Sequence, residues 1–471
     1  MNIKKNEILV IIILNMLPLL LIFFLDYTID DIYIYNFILN AVLLSISINM
    51  LIVYYLKTKF DLFEPLLLIS VLHFFIFYIT PMYDIVIGEY SWFGVNDLFD
   101  YGIKGSLVAF AGYVSFYIIY NLKFKVLNMF FLFKMKKWDN KYLVPSILTM
   151  FAVCLVLYLY YIIIVSGNSI MYLLTLGFFG SSSDNTISSS GLGAISMFGF
   201  CLPSLALLYQ EYGKIKSLKI ALYFLVIQLF IARGFRFLIL QIVIIMVSYY
   251  FIRYNKKPKF KQTLIIALIT MIPIIIMTMF RNDIRSGVGF SFNRVDFNSI
   301  IGALDEAIWD NFRIYKTYYS LIKAVPEMTG YLFGEGIIAY TAIMFIPRGI
   351  WPGKPLNPQM DAVGLGLSVD AVKAGQAYPN IGEFYYDSGI LGVIFWMGIY
   401  ACITKYFRNR FRNNAKSVVD IMAFSTMLGI NLQLVIRGYT PSNFWMVVFS
   451  MLPLILVKMF FDGTRKEKDN E

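Results

Sequence analysis

Leu143-Val-Pro-Ser-Ile-Leu-Thr-Met-Phe-Ala-Val-Cys-Leu-Val-Leu-Tyr-Leu-Tyr-Tyr-Ile-Ile-Ile-Val165 runs for 23 residues without one charged side chain. At about 1.5 Å of rise per residue, such a helix crosses the roughly 30 Å hydrocarbon core of a bilayer. Lipid offers no partner to backbone N–H and C=O groups, so an apolar stretch of this length is read as a helix. Outward from it the pattern repeats. Ile8–Leu25, Phe37–Leu56, Leu66–Ile79 and Gly105–Leu122 precede it. Gly191–Tyr209, Ile220–Ala232, Phe237–Ile252, Thr263–Phe280, Gly389–Ile403, Val418–Ile436 and Trp445–Phe461 follow. Of the 471 residues, 59% are hydrophobic and 15% charged, with a mean hydropathy of +0.70. Soluble domains carry about a quarter charged residues. The fold class is therefore an all-α integral membrane protein with about twelve transmembrane helices, a single polytopic domain over residues 1–471, and soluble-enzyme readings are excluded. The first segment is read as an uncleaved span: it is long for a signal, lacks a small-residue exit and runs straight into Asp26-Tyr27.

Charge sets the expected orientation. The chain holds 40 Lys and Arg against 29 Asp and Glu, a net +11. The basic residues lie mostly in short tracts between apolar segments, which membrane topology explains better than nucleic-acid binding. With the N-terminus in the cytoplasm, twenty-seven of the 40 fall on the cytoplasmic side, including the tracts Lys123–Lys141, Arg253–Lys261 and Lys405–Lys416. Of the other 13, nine lie in one long loop, and only Lys104, Arg233, Arg236 and Arg437 flank short ones. Both termini are thus expected in the cytoplasm, with a large extracytoplasmic loop over 281–388. Within it, Asn298–Val325 reads as an amphipathic helix with Ile301, Leu304, Ile308, Phe312 and Tyr315 on one face. Ile337–Ile346 is apolar but too short to span, and Pro347 ends it, which predicts an interfacial or re-entrant helix.

Cys154, Cys201 and Cys402 all fall in apolar segments without a pairing pattern, so neither a disulfide framework nor a zinc site is indicated. The single histidine, His73, sits mid-segment and reads as structural. Four arginine clusters map to the outer face: Arg233-Gly-Phe-Arg236, Arg281-Asn-Asp-Ile-Arg285, Pro347-Arg348-Gly-Ile-Trp351-Pro-Gly-Lys354-Pro355 and Arg437-Gly-Tyr439. Charges at the membrane edge are costly and need a reason. A guanidinium grips phosphate oxygens through paired hydrogen bonds, so converging arginines suit a lipid-linked pyrophosphate. The plainer reading of each is snorkelling to headgroups. Downstream, Tyr378-Pro-Asn380-Ile-Gly-Glu383-Phe-Tyr385-Tyr386 places Glu383 just before the tenth span. There it can complement a helix N-terminus or take a proton from an attacking hydroxyl. Trp351, Tyr378, Tyr385 and Tyr386 suit stacking on sugar rings, or an interfacial aromatic belt. The acidic first outer loop, Asp26 to Asp31, suits a divalent ion, but topology alone also yields an acidic outer loop.

The run Pro347-Arg348-Gly-Ile-Trp351-Pro-Gly-Lys354-Pro355 resembles the Pro-Arg-x-x-Trp-Pro-x-Lys-Pro signature of bacterial oligosaccharide repeat-unit polymerases, the O-antigen polymerase (Wzy-type) family. Asn380-Ile-Gly-Glu383-Phe-Tyr385 and Gly389-Ile-Leu-Gly392 resemble that family's next block, and Arg233 and Arg236 match its habit of an arginine at that turn. The resemblance implies a GT-C-like membrane glycosyltransferase in the bacterial cytoplasmic membrane. It would move a growing chain from a polyprenyl pyrophosphate onto a new lipid-linked repeat unit, with no cofactor, metal or nucleotide sugar. It also implies a flippase and a chain-length regulator as partners, and no nucleic acid. The roles expected are leaving-group stabilisation by Arg233, Arg236, Arg281, Arg285 and Arg348, a base role for Glu383, and substrate binding by Trp351, Lys354, Asn380, Tyr385, Arg437 and Tyr439. An O-antigen-ligase-type transferase would want an outer-loop histidine, and His73 is the only one present. A flippase would want polar residues lining a central cavity across many helices, and these spans are almost free of charge. A passive membrane scaffold explains neither the outer arginines nor the Pro/Trp/Lys segment.

Overall fold

The computed structural model describes residues 30–59, 61–122, 137–165, 195–232, 236–279, 302–306, 309, 311–346, 350–355, 358–373, 376–413 and 417–461. Its helices are α1 (Asp31–Thr58), α2 (Pro65–Ile87), α3 (Leu98–Asn121), α4 (Leu143–Val165), α5 (Cys201–Tyr212), α6 (Lys216–Ala232), α7 (Arg236–Arg253) and α8 (Phe260–Met279). There follow α9 (Ile314–Ala324), α10 (Tyr340–Ile343), α11 (Pro358–Gly366), α12 (Val369–Lys373), α13 (Asn380–Asn413), α14 (Val418–Ile436) and α15 (Thr440–Phe460). Among the described residues, seven helices are long and apolar enough to cross a membrane: α1, α2, α3, α13, α14, α15 and the stretch Asn140–Ile163 that holds α4. The described part of each expected span from Phe37 onward falls on a helix, and Val418–Ile436 matches to the residue. The expected span Ile8–Leu25 lies outside the described residues.

Two spans depart furthest from their expected ends, for physical reasons. Thr80-Pro81 looks like a stop after Ile79, because proline has no N–H to donate. Instead α2 widens into a π-helical turn over Phe75–Ile79, and Thr80 Oγ1 donates to the Phe75 carbonyl at 2.7 Å. The wide turn absorbs the missing bond, and the helix continues to Ile87. In α13 the expected start at Gly389 is a break inside a longer helix. Ser388 (φ −155°) and Gly389 (φ +63°, ψ −148°) interrupt it, so Glu383 lies on a short helical segment before the break.

The bundle has two distinct ends. α13 runs parallel to α3: Lys104 lies over the Tyr385 ring, Gly112 abuts Val393 and Met397, and Gly398 abuts Ile119. At the far end of this pair, Tyr54 and Tyr120 both donate to Glu64 Oε1, and the Arg408 guanidinium pairs with the same carboxylate at 2.8 Å. Two further buried carboxylates mark that end. Asp420 takes Arg410 and Lys458 at 2.6 Å each, and Glu211 takes Arg253 at 2.8 Å and the Tyr249 hydroxyl. Phe63 stacks on Phe251, which sets the Arg253 end of α7 beside Glu64. The starts of α7, α13 and α15 and the end of α14 therefore share the opposite end.

That opposite end is capped by a layer built on α9. The single amphipathic helix expected over Asn298–Val325 is not what forms: residues 311–313 turn, and the helix is Ile314–Ala324. It has no solvated face, since Ile314 to Ile322 are all buried. The cause is packing on every side. Tyr318 meets Phe77 of α2, Tyr319 lies against Gly105 of α3, Leu321 against Gly382 of α13, and the Ser320 carbonyl against Gly366 of α11. A charge cluster fastens it. Asp84, fully buried near the end of α2, accepts from Arg313 Nε at 3.1 Å, from the Tyr315 hydroxyl at 2.8 Å and from Lys316 Nζ at 3.1 Å. Lys316 also donates to the Glu89 and Ser91 carbonyls. Burial pulls its ammonium below the ordinary lysine value, and Asp84 opposes that pull. Asp84→Ala would remove the buried carboxylate that these two cations share, a loss of about 3–5 kcal/mol. It should appear as a lowered melting temperature of the detergent-purified protein, and an unchanged Tm would exclude the anchoring role.

Candidate functional site

The sequence block 378–387 folds into the first segment of α13 and presents different faces in turn. Asn380 turns inward: its amide nitrogen sits 3.8 Å from Met397 Sδ, and its oxygen accepts the Ile381 N–H. Tyr385 also packs inside the cap, its hydroxyl donating to the Val325 carbonyl at 3.3 Å, with Tyr331 edge-on and Lys104 5.6 Å above the ring. The break at Ser388–Gly389 is where the cap is stitched to α13. Leu332 and Phe333 donate backbone bonds to Tyr386 and Asp387, and the Asp387 carboxylate accepts from the Gly334 N–H, Ser388 Oγ and Trp396 Nε1. Gly389 is required twice over: its φ is positive, and a Cβ there would stand 3.1 Å from the Tyr331 hydroxyl.

Glu383 points elsewhere. Its buried carboxylate accepts the backbone N–H of Tyr439 at 2.8 Å, that of Thr440 at 2.8 and 2.9 Å, and the Thr440 hydroxyl at 2.7 Å. These are the orphan donors at the start of α15, so Glu383 caps that helix and not its own. The turn Arg437-Gly438-Tyr439 between α14 and α15 is held at each residue. Asn443 Nδ2 donates to the Arg437 carbonyl at 2.6 Å, and the Gly438 N–H donates to the Tyr378 carbonyl at 2.6 Å. Tyr439 sits at φ +96°, ψ +63°.

From that turn the contacts run on to the Pro/Trp/Lys segment. The expected helix over Ile337–Ile346 is a π-helical turn, Glu335–Ala339, followed by the single turn α10. It lies along α15, where Trp445 Nε1 donates to the Thr341 carbonyl and Phe345 packs on the Trp445 ring. Tyr340 faces Tyr439 with ring centroids 6.3 Å apart. Lys354 Nζ lies 5.5 Å above the Tyr340 ring and donates to the Met344 and Ile346 carbonyls. Trp351, two-fifths exposed, stands on the surface beside Ile350. Glu383, Tyr439, Tyr340 and Lys354 thus form one continuous chain at one end of the bundle, with Arg437 in the same turn. Asn380 and Tyr385 flank it on the inner side.

Arg236 opens α7 at this same end of the bundle, since Gln241 and Ile245 of that helix meet Gly429 of α14 and Gln241 reaches Met446 of α15. Arg233, Arg281, Arg285 and Arg348 lie outside the described residues. Sequence reasoning missed Asp84, Arg313, Lys316, Tyr340 and Thr440. An aspartate inside the apolar run Thr80-Pro-Met-Tyr-Asp84-Ile-Val-Ile87 was a readable signal, because an acid at membrane depth demands a partner. His73 is buried against Tyr113 and Phe77 and bonds the Tyr78 hydroxyl at 3.2 Å.

A helical, multi-pass membrane protein is the class these features define, and among the described residues Lys354, Glu383, Arg437 and Tyr439 lie at one end of the bundle. The chain belongs to the family of the O-antigen polysaccharide polymerase Wzy, whose family model matches residues 9–465. No curated protein and no solved structure matches it. Membership supports a role as an O-antigen polymerase in polysaccharide biosynthesis.

Gly438 tests the geometry of the turn. A Cβ there would stand 2.6 Å from the Tyr378 ring and 3.0 Å from the Pro379 carbonyl. Gly438→Ala is expected to cost about 1–3 kcal/mol through overpacking. Adding Tyr378→Ser should recover part of that loss, read as Tm in a double-mutant cycle; strictly additive losses would mean the two residues are not packed this way.

Proposed function

We propose that the protein polymerises polyprenyl-pyrophosphate-linked oligosaccharide repeat units into a surface polysaccharide at the outer face of the bacterial cytoplasmic membrane. The observation that carries this is the gathering of the motif residues Lys354, Glu383, Arg437 and Tyr439 in one end layer, in a chain of this family. The positive-inside bias supports placing that end outside the cell and both termini in the cytoplasm, with about twelve spans in the full chain. The opposite end, rich in Lys and Arg, then faces the cytoplasm, where its buried carboxylates take up part of the charge.

In this reading the bond broken joins the anomeric carbon of the growing chain to its pyrophosphate carrier. The electron pair departs with the pyrophosphate, a hydroxyl of the incoming lipid-linked unit attacks the same carbon, and its proton passes to the released pyrophosphate. Charge grows on the leaving oxygens, and arginines held at the membrane edge stabilise it in a dry, preorganised setting. Arg233, Arg236, Arg281, Arg285, Arg348 and Arg437 are proposed for that role. Trp351 offers an exposed ring for stacking on sugar, and Lys354 fixes the segment that carries Arg348 and Trp351. The chemistry is assigned to protein side chains alone, with a flippase supplying the repeat units and a chain-length regulator as a further partner.

The test is the length distribution of surface and lipid-linked glycan in a strain lacking the protein, complemented with variants. Deletion should leave single repeat units on the final acceptor and abolish the long ladder. Arg348→Ala, Arg233→Ala and Arg437→Ala, at normal protein levels, should each reduce polymerisation by about 10²–10³-fold, as for loss of one oxyanion-stabilising donor. Long chains accumulating on the lipid carrier without transfer would establish a ligase instead. Repeat units trapped on the cytoplasmic face would establish a flippase and remove these assignments.

A further inference from the structure

We propose that Glu383 is a positioning residue: it locks the Arg437–Tyr439 turn into a strained shape that presents this turn to the pyrophosphate of the donor, and it does not act as the base. The proposal rests on the polymerase reading and concerns the same site.

The first observation is where strain is stored. Tyr439, at φ +96°, occupies the left-handed region. A bulky L-residue there is strained and persists only where its surroundings over-determine it. A glycine at this position would remove that strain, and the chain does place a glycine in the turn, but at Gly438, which has no positive φ. There the missing side chain serves close approach to the Tyr378 ring. The turn thus keeps a tyrosine at its strained position and spends its glycine on packing. Such an arrangement fits a turn selected for what its side chains reach.

The second observation is what holds the strain. Both Glu383 oxygens receive N–H donors from the turn: Oε2 takes Tyr439 N, Thr440 N and Thr440 Oγ1, and Oε1 takes Thr440 N. With 1% of its surface exposed, the side chain has no open face for an incoming hydroxyl. The Gly438 N–H and the Arg437 carbonyl are bound independently, by Tyr378 and Asn443. Glu383 is therefore the group that fixes Tyr439 relative to its neighbours. Through Tyr439 and Tyr340 the grip extends to Lys354, and so to the segment bearing Trp351.

The third observation is chemical. Carboxylate-to-N–H bonds at a helix start are charge-assisted and directional. Replacing the carboxylate with an amide turns one acceptor into a donor facing other donors. The predicted consequence is a loosened turn, felt in donor binding, with the proton-transfer step intact.

The experiment uses full-length protein in proteoliposomes, with lipid-linked repeat units extracted from a strain lacking it as substrate. Glu383→Gln, Tyr439→Gly and their combination are compared, with Thr440→Val as a milder release of the same grip and Tm as the check on folding. The expected result is a KM for the lipid-linked substrate raised about tenfold or more in Glu383→Gln, a smaller change in kcat, and an unaltered pH profile of kcat. Thr440→Val should raise KM about threefold. Glycine adopts the positive φ without help, so the factor lost to Glu383→Gln should shrink severalfold when Tyr439→Gly is already present. A kcat loss of about 10² or more with unchanged KM and a lost limb of the pH profile, equal in both backgrounds, would identify Glu383 as the base and overturn the proposal. So would a wild-type KM in Thr440→Val. An inactive wild-type protein would overturn the polymerase reading itself, and the proposal with it.

Discussion

The close parallel packing of α3 against α13 is the constraint on which both ends of the molecule depend. Inside lipid there is no hydrophobic drive to bring two apolar helices together, so association rests on close packing and interhelical hydrogen bonds. Gly112 and Gly398 provide the first: a Cβ at either would fall 2.7 Å from Val393 or 2.5 Å from Ile119. Ser115 Oγ, donating to the Ile394 carbonyl at 2.7 Å, provides the second. Because the helices run parallel, this one seam sets Lys104 against Tyr385 at one end and Tyr120 and Arg408 around Glu64 at the other. A slip of one turn along it, about 5.4 Å, would part the Glu64 cluster and misplace the 378–387 block together.

The spans were legible because lipid demands long apolar runs, and composition alone encodes those. α14 was read to the residue, since Ser417, whose side chain accepts the Asp420 N–H, and Arg437 bracket it with polar residues. What was not legible depended on partners distant in sequence. The π-helical turn of α2 rescues Thr80-Pro81, and nothing local announces that the chain will widen and not stop. The stretch that holds α9 was read as an amphipathic helix from Ile301, Leu304, Ile308, Phe312 and Tyr315 on one face. In the fold Lys316 is buried by Asp84, 232 positions earlier in the sequence, and Lys323 pairs with Asp97. At the site, Glu383 and the Arg437–Tyr439 turn were each legible as islands of polarity beside apolar spans. Their contact was not, because it joins the starts of two helices separated by a third.

The two ends use their acids differently. At the Glu64 end each buried carboxylate meets one or two cations, so charge is neutralised within the protein and the helix ends are tied pairwise. Such pairs are poor sources of net stability, because desolvation consumes most of the attraction, but breaking one is costly. They therefore fix register more than they stabilise. At the other end Asp84 does the same for the cap, yet Glu383 lends its oxygens to backbone N–H groups.

That difference bears on the proposed site for an anionic leaving group. An acid that accepts helix-terminal N–H groups orders the turn that carries them. The positive end of the α15 dipole is offset by the same carboxylate, so the turn is ordered electrostatically before any substrate arrives. Preorganisation of this kind matters most in a dry setting, where reorienting a dipole during the reaction costs as much as the dipole returns. A turn free to relax would let Tyr439 leave its left-handed conformation, and the favourable relaxation would work against binding. Rigid placement by a buried carboxylate removes that competing state, which is the physical reason to find an acid, a strained aromatic and an arginine within one short stretch of space.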